Sequence, residues 1–360
     1  MVAEMDVVAF REKGGVDKLR MEKMPVPEPG DDEVLLNVLA TSVNHLDITT
    51  RNGTARVELS LPHIPGCDAV GTIAGKGKHV VDFEIGETVV VNPGISCGRC
   101  RMCTTGRGSL CESFYILGEH VNGACAEYVT IPSRNLKRVP RGFPFIIAAA
   151  APLVYLTAWH ALVVRAGIRF GEDVFVSGAS GGVSTAAIQV AKLFGGRVVG
   201  GTRSNEKVSR IMATGADEVV LTSEQDWSKS YIKEHGGFDI VVDGTGAATW
   251  RDNLRLLRKG GRIVNYGITG GSSTTLELSH LFWKQQQIVG STMGDVSDFE
   301  TVMDLVFSGR LKPVVDRVYS LRDTPAAQDY VERAKQVGKV VIVNGETDTG
   351  ARFLHSSDKT

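Results

Sequence analysis

The stretch from Gly171 to Lys207, GEDVFVSGASGGVSTAAIQVAKLFGGRVVGGTRSNEK, constrains the fold of this chain most. Val174, Phe175 and Val176 form a short apolar run bounded by turn residues. Val183, Ala186, Ala187, Val190, Ala191 and Phe194 then recur at helical spacing, and Arg197 to Gly200 opens a second strand. A strand, a glycine turn, a helix and a strand in this order form a nucleotide-binding βαβ unit. Gly181 and Gly182 let the backbone come close to a pyrophosphate, and the helix that follows offers it unpaired N–H groups and a positive dipole end. Against G-x-G-x-x-G the six residues are Ala179, Ser180, Gly181, Gly182, Val183 and Ser184, so only the middle glycine coincides. A plain βα turn that binds nothing fits that expression equally well. The position between strand and helix, with further strands behind it, favours the nucleotide.

Beyond Lys207 the rhythm continues. Strands are expected at EVVL from Glu218, FDIVVD ending at Asp243, RIVNYG from Arg262 and QIVGST from Gln287, with ATWRDNLRLLRKGG helical. Six alternating strands imply an α/β, doubly wound parallel sheet whose ligand crevice lies beyond the carboxyl ends of the strands. Thr202, Arg203, Asp243 to Gly246 (with Gly244), Tyr266, Gly267, Ser291, Thr292 and Met293 fall there. Upstream, from Val7 to Val129, β-like runs broken by Gly and Pro read as a β-rich domain, with SVNHLDITTRNG and LPHIPGCDAVG as turn-rich segments. Phe145 to Ala166 reads as a helix leading into the nucleotide domain. A helix from Phe299, then PVVDRVYSL and GKVVIV, return the chain to the first domain. The expected division is 1–157 with 303–345, then 158–302, and a tail at 346–360 that lacks periodicity and reads as disordered.

A chain of 360 residues suits two domains, and a net charge of −1 gives no electrostatic footprint for nucleic acid or an anionic membrane. The start, MVAEMDVVAFREKGG, lacks the features of a signal peptide, and no apolar run approaches ~20 residues, so a soluble, cytoplasmic protein is expected. Four of the six cysteines are Cys97, Cys100, Cys103 and Cys111, spaced C-x2-C-x2-C-x7-C. Four thiolates in one loop close a tetrahedral Zn²⁺ site with no position left for substrate, which makes the metal structural and the lobe 93–115 dependent on it. An iron–sulfur cluster competes, but the x7 gap and the absence of proline after Cys111 favour zinc.

An NAD site places an acidic residue about twenty residues past the turn. Here that place falls at Arg203, with Ser204 and Lys207 close by in sequence, which favours the 2′-phosphate of NADP(H). A solvated Arg203, with either NAD(H) or NADP(H) accepted, is the competing reading.

The motifs SVNHLD, PGCDAVG, GETVVVNPGISCGRCRMC with Cys111, AAAPLVYLTAWHAL, GASGGVSTAAIQVAKLFG, SNEK, LFWKQQQIVGSTM and GKVVIV run from Asn44 to Val343. Together they are similar to the medium-chain dehydrogenase/reductase superfamily, in its zinc-type alcohol dehydrogenase and quinone oxidoreductase group. The resemblance implies a GroES-like catalytic domain, a Rossmann domain, a cleft between them, a small-molecule substrate, and a homodimer or homotetramer. Alcohol dehydrogenases of that family bind a catalytic zinc through Cys, His and Cys. The matching positions here look like Asn44, Cys67 and Leu153, and Leu46 stands where the proton-relaying hydroxyl would be. Asn and Leu do not supply an open catalytic zinc. The VN-x-x-D of Asn44 to Asp47 and the turn at Ala179 instead resemble quinone and enoyl reductases, which transfer hydride without a catalytic metal. Such a site suits a quinone or an alkene conjugated to a carbonyl, whose developing anion hydrogen bonds can hold.

The resemblance makes Asn44, His45 and Tyr155 the candidate polar groups beside the nicotinamide and Thr157 a contact to its ring. Ser180, Gly181, Gly182 and Val183 would lie on the pyrophosphate. Asn44 equally suits a turn and Tyr155 a packed aromatic. Two further readings stay open: an alcohol or aldehyde oxidoreductase that recruits a metal through Cys67, Asp68 and His45, and a non-catalytic NADPH-binding protein.

Overall fold

The computed structural model describes residues 3–55 and 57–345, so the tail expected at 346–360 lies outside the described residues. The chain divides into two compact units: residues up to Leu153 with those from Asp295 onward, and Val154–Gly294. The divisions at 153/154 and 294/295 lie four and eight residues before the expected 157/158 and 302/303. Among the described residues, no helix is long and apolar enough to cross a membrane.

In the first unit the strand Glu33–Val43 is central. It pairs antiparallel with Val70–Lys76, with Tyr128–Pro132 and with Lys339–Val343 in a seven-stranded sheet that runs out to Val315–Ser320 at one edge and Leu136–Arg138 at the other. Its side chains alternate strictly at first: Val34, Leu36, Val38 and Ala40 are buried. This period of two puts one face into a core with Ile73, Val89, Val91 and Ile131. The other end of the strand packs with Phe10, Ile48, Ile64, Val340 and Ile342.

SVNHLDITTRNG, expected as turns, holds a helix at His45–Asn52. Its termini explain it: Asn44 and Asp47 form a reciprocal capping box, and Gly53 ends the helix in the left-handed region at φ 83°. Arg51 on this helix is fully buried. Its Nε donates to Gln328 Oε1 at 2.9 Å, one terminal nitrogen to Gly14 O at 2.7 Å and the other to Glu332 Oε2 at 2.7 Å, fastening the helix to Thr324–Glu332. The expected helix from Phe145 is three pieces, Phe145–Ala149, Pro152–Trp159 and a π-helical turn His160–Arg165, because Pro152 starts a new helix and cannot continue the old one.

In the second unit six parallel strands lie in the order Glu218–Leu221, Val198–Thr202, Val174–Val176, Phe238–Asp243, Leu257–Asn265 and Gln287–Gly290. The order reverses between Val174–Val176 and Phe238–Asp243, which defines a topological switch point. The helix of ATWRDNLRLLRKGG stops at Leu256, and the next strand begins at Leu257 rather than Arg262. Leu257 pairs with Phe238, and a register shift just beyond that pair absorbs Lys259 to Gly261.

Replacing Arg51 with Met should cost about 2–4 kcal/mol in urea unfolding, because Gly14 O and Gln328 lose a charged donor. Glu332 is 41% exposed and contributes little to that cost. A loss below about 1 kcal/mol would show that the Arg51 bonds do not hold the two helices.

Candidate active site and metal centre

Around Asn44 the first unit builds a closed polar network. The Asn44 backbone N–H donates to Asp47 Oδ2 at 2.7 Å, and Gly66 N–H to Asp47 Oδ1 at 2.9 Å. Asn44 Nδ2 donates to Asp68 Oδ2 at 2.8 Å and to Ser42 O at 3.2 Å, while Asn44 Oδ1 accepts from Lys339 Nζ at 2.5 Å. Asp68 Oδ1 takes the backbone N–H of Leu153 at 2.8 Å. The Cys67 thiol donates to Asp47 Oδ1 at 3.4 Å. Burial, together with the charges of Asp47, Asp68 and Glu119, pushes that thiol well above its ordinary range, so it stays protonated. Burial pushes Asp47 up to about 6.

The donor set a catalytic zinc requires is therefore not offered here. Asn44 is used at both ends, Cys67 is a protonated donor, and Leu153 contributes only a backbone N–H. Among the described residues, the groups of metal-ligating side chains brought within 4.8 Å of one another include the four lobe cysteines and not Cys67, Asp68 and His45. His45 is the first residue of its helix and is exposed. The protein around its ring removes enough water to lower its pKa, against the opposing charge of Glu332.

Glu119 is a group that the sequence reading passed over. It is 8% exposed, and its Oε2 lies 3.2 Å from His120 Nδ1, which also accepts the Ile116 N–H. Burial and then the charge of Asp47 push its carboxyl up to about 7. It stands two residues past Leu117 in a mixed run, Leu117-Gly118-Glu119-His120-Val121-Asn122, where nothing in the pattern marks a buried carboxylate.

The lobe brings Cys97, Cys100, Cys103 and Cys111 together. Cys97 Sγ lies 3.8 Å and Cys100 Sγ 3.5 Å from Cys103 Sγ. Four ligands at ~2.3 Å around a tetrahedral zinc lie about 3.8 Å apart, so the residues fit the ion. Backbone N–H groups of Arg99 and Cys100 lower the Cys97 thiol to about 6, and a hydrogen bond from Ser96 lowers Cys103, both favouring the thiolate a metal needs.

In the second unit the helix Gly182–Leu193 starts at the switch point, with Gly181 as its N-cap in extended conformation. A Cβ on Gly181 would meet nothing of the protein closer than Ser184 Oγ at 3.5 Å, so the room it leaves serves whatever approaches the helix end. Ser184 stands where the third glycine of the fingerprint would be, and its Oγ is 3.2 Å from both Ser177 O and the Tyr266 hydroxyl. A Cβ on Gly244 would strike the Tyr266 ring at 2.5 Å. Lys207 Nζ donates to Ser180 Oγ at 3.3 Å, joining the turns after the first and second strands, and Thr202 Oγ1 accepts the Ser204 N–H at 3.2 Å. Arg203 is exposed beside them. At the end of the last strand Ser291 Oγ is buried with no partner among the described residues, Thr292 is exposed, and Met293 holds φ 49° with Thr157 Oγ1 3.9 Å from its sulfur. Tyr155 is buried, with its phenol beside Gln189 and held protonated by burial. Asp243, missed as an organising residue, accepts from Thr245 N, Gly246 N, Thr249 Oγ1, Asn253 Nδ2 and Asn265 Nδ2. Its place at the end of a strand, before Gly-Thr-Gly, is the legible signal.

A β-rich unit with a cysteine lobe and a doubly wound unit with a glycine turn at its switch point define a two-domain oxidoreductase that works with a nicotinamide cofactor. Residues 30–141 match the family described as alcohol dehydrogenase GroES-like domain, and residues 182–308 that described as zinc-binding dehydrogenase. The chain belongs to the medium-chain dehydrogenase/reductase superfamily. An acryloyl-coenzyme A reductase of Sulfurisphaera tokodaii is 32% identical over 324 residues, 90% of this chain and 96% of that protein. The quinone oxidoreductase of Homo sapiens is 28% identical over 354 residues, 94% of this chain and 98% of that protein. A crystal structure of an NAD-dependent alcohol dehydrogenase superposes with a TM-score of 0.91 at 42% identity, covering 95% of this chain and all of that one.

Glu119 carries a pH signature. Its folded pKa of about 7 lies above the ordinary 4.5, so the stability it contributes is full below that ordinary value and is lost as pH rises through 7. Glu119→Gln should remove this slope and, at pH 8, gain on the order of 1–3 kcal/mol over the wild type in urea unfolding. A wild-type minus variant difference that stays flat from pH 4.5 to 8 would show that Glu119 ionises freely.

Proposed function

We propose that this oxidoreductase transfers hydride from NADPH to a quinone or a carbonyl-conjugated alkene at a site without catalytic zinc. One structural Zn²⁺ sits in the Cys97, Cys100, Cys103 and Cys111 lobe of each subunit. The carrying observation is the closed network at Asn44, Cys67 and Asp68, which leaves no open ligand position for a Lewis acid. The names of the Sulfurisphaera tokodaii and human relatives support the two acceptor classes.

Reduced nicotinamide supplies a hydride, and the acceptor is left as a delocalised enolate or hydroquinone anion. The protein's task is then to hold that charge with preorganised donors. Of the candidates Asn44, His45 and Tyr155, Asn44 already gives its amide N–H groups to Asp68 and Ser42, which leaves His45 and Tyr155, and His45, kept neutral, would donate without bringing a charge. The Gly181 cradle and the helix end suit the pyrophosphate, and the orphaned Ser291 hydroxyl suits a polar group of the cofactor. Arg203, Ser204 and Lys207 suit the 2′-phosphate. A homodimer or homotetramer is supported by the edge strand Gln287–Gly290, where Ile288 is exposed, and by Phe282 and Trp283, exposed on the helix Leu278–Trp283 that precedes it. A cytoplasmic setting is in keeping with six free cysteines.

The test is zinc per subunit by elemental analysis together with NADPH oxidation by a quinone, an enone and an enoyl thioester. One zinc and acceptor reduction that survives mild chelation are expected; oxidation of simple alcohols abolished by chelation would overturn the proposal. For the cofactor, Arg203→Asp should raise KM for NADPH on the order of 10- to 100-fold, with a smaller change in kcat and a shift toward NADH. An unchanged NADPH-to-NADH ratio would take Arg203 out of the site.

A further inference from the structure

The side chain of Lys339 is 3% exposed, at the start of a strand paired to Glu33–Val43. A buried ammonium persists only when its charge is compensated and its three N–H groups are taken up. Here they are. Nζ lies 2.5 Å from Asn44 Oδ1, 2.8 Å from Val43 O and 3.3 Å from Asp68 Oδ2. Asp68 is fully buried as well, and its remaining acceptor sites go to Ser42 Oγ at 2.6 Å, Asn44 Nδ2 at 2.8 Å and Leu153 N at 2.8 Å. One internal cation and one internal anion thus share Asn44, whose amide bridges them.

We propose that Lys339 is an internal cation that stands in for a metal ion. It neutralises Asp68 and fixes the amide of Asn44, so that this cluster takes up no divalent ion while Lys339 is present. A variant without the ammonium has the three oxygens that held it, Asp68 Oδ2, Asn44 Oδ1 and Val43 O, left to accept one. The inference rests on the reading that the protein has no catalytic zinc, and it names the group responsible. A carboxylate and two carbonyl oxygens suit a divalent ion that accepts oxygen ligands, for which Co²⁺ serves as the probe. Lys339 acts through Asn44 and Asp68 and is a positioning residue.

The experiment counts bound metal and reads thermal unfolding on the full chain, with zinc retained in the cysteine lobe. Lys339→Ala should melt at least about 5 °C below the wild type, because it strands Asp68. In millimolar Co²⁺ it should take up about one further ion per subunit and regain at least half of that loss. Lys339→Arg should behave as wild type, and Lys339→Ala with Asp68→Asn should gain no ion. If Lys339→Ala does not fold, Lys339→Gln, which keeps a donor without the charge, is read in the same way. A folded Lys339 variant that takes up no ion, beside a wild type with one zinc, would overturn this inference alone. Two ions in the wild type would overturn it together with the zinc-free reading, whereas failure to reduce quinones or enones would leave it standing.

Discussion

The carboxylate of Asp68 is the constraint on which the first unit turns. A charge removed from water costs several kcal/mol unless hydrogen bonds and an opposite charge replace its hydration. Here the replacements come from segments far apart in the chain: Ser42 and Asn44 before it, Leu153 after it, and Lys339 near the end of the described residues. Those donors meet only if Glu33–Val43 pairs in register with Lys339–Val343, and Val43 opposite Val340 sets that register. A slip of one residue would turn the Lys339 ammonium to the other face and leave Asp68 alone. Burial of Val340 and Ile342 and satisfaction of Asp68 therefore select the same pairing. The apolar term and the polar term do not compete.

The second unit depends on an analogous buried carboxylate. Asp243 ends the strand beside the switch point and gathers donors from the loop after it and from the neighbouring Asn265, which itself reaches Gly267 O at 2.8 Å. Strand order decides where the crevice opens, and Asp243 decides how the loop that borders it is held. Gly244 and Tyr266 meet there at a distance no Cβ would allow, so the loop's path and the tyrosine's position are a single choice.

Legibility in the sequence follows the range of the interactions. The glycine turn, the alternating strands and the four cysteines are written in residues close along the chain, and local periodicity and spacing carried them. The His45–Asn52 helix was legible in principle, through Asn44-x-x-Asp47 and Gly53. It was hidden because polar Thr, Asp and Asn dominate its composition, so that caps rather than an apolar stripe announce it. The early start of the strand at Leu257 was hidden by a helix-like Leu and Arg pattern that pairing to Phe238 overrides. Lys339 was not legible at all: GKVVIV reads as a glycine turn and a buried strand, and nothing in it says that the lysine faces inward toward residues almost three hundred positions earlier.

Two places in the first unit solve one physical problem in different ways. The lobe at Cys97 to Cys111 has little apolar material of its own, and hydrogen bonds favour the thiolate at Cys97 and Cys103, so a cation there would bind the four sulfurs together. The cluster at Asp68 has abundant core around it and a cation already supplied by the chain. A metal gains most where ligands are deprotonated and mutually repelling. It gains least where an ammonium has neutralised the carboxylate and burial has kept the neighbouring thiol protonated. The chain's own charge placement thus favours a cation from outside at the first place and supplies its own at the second.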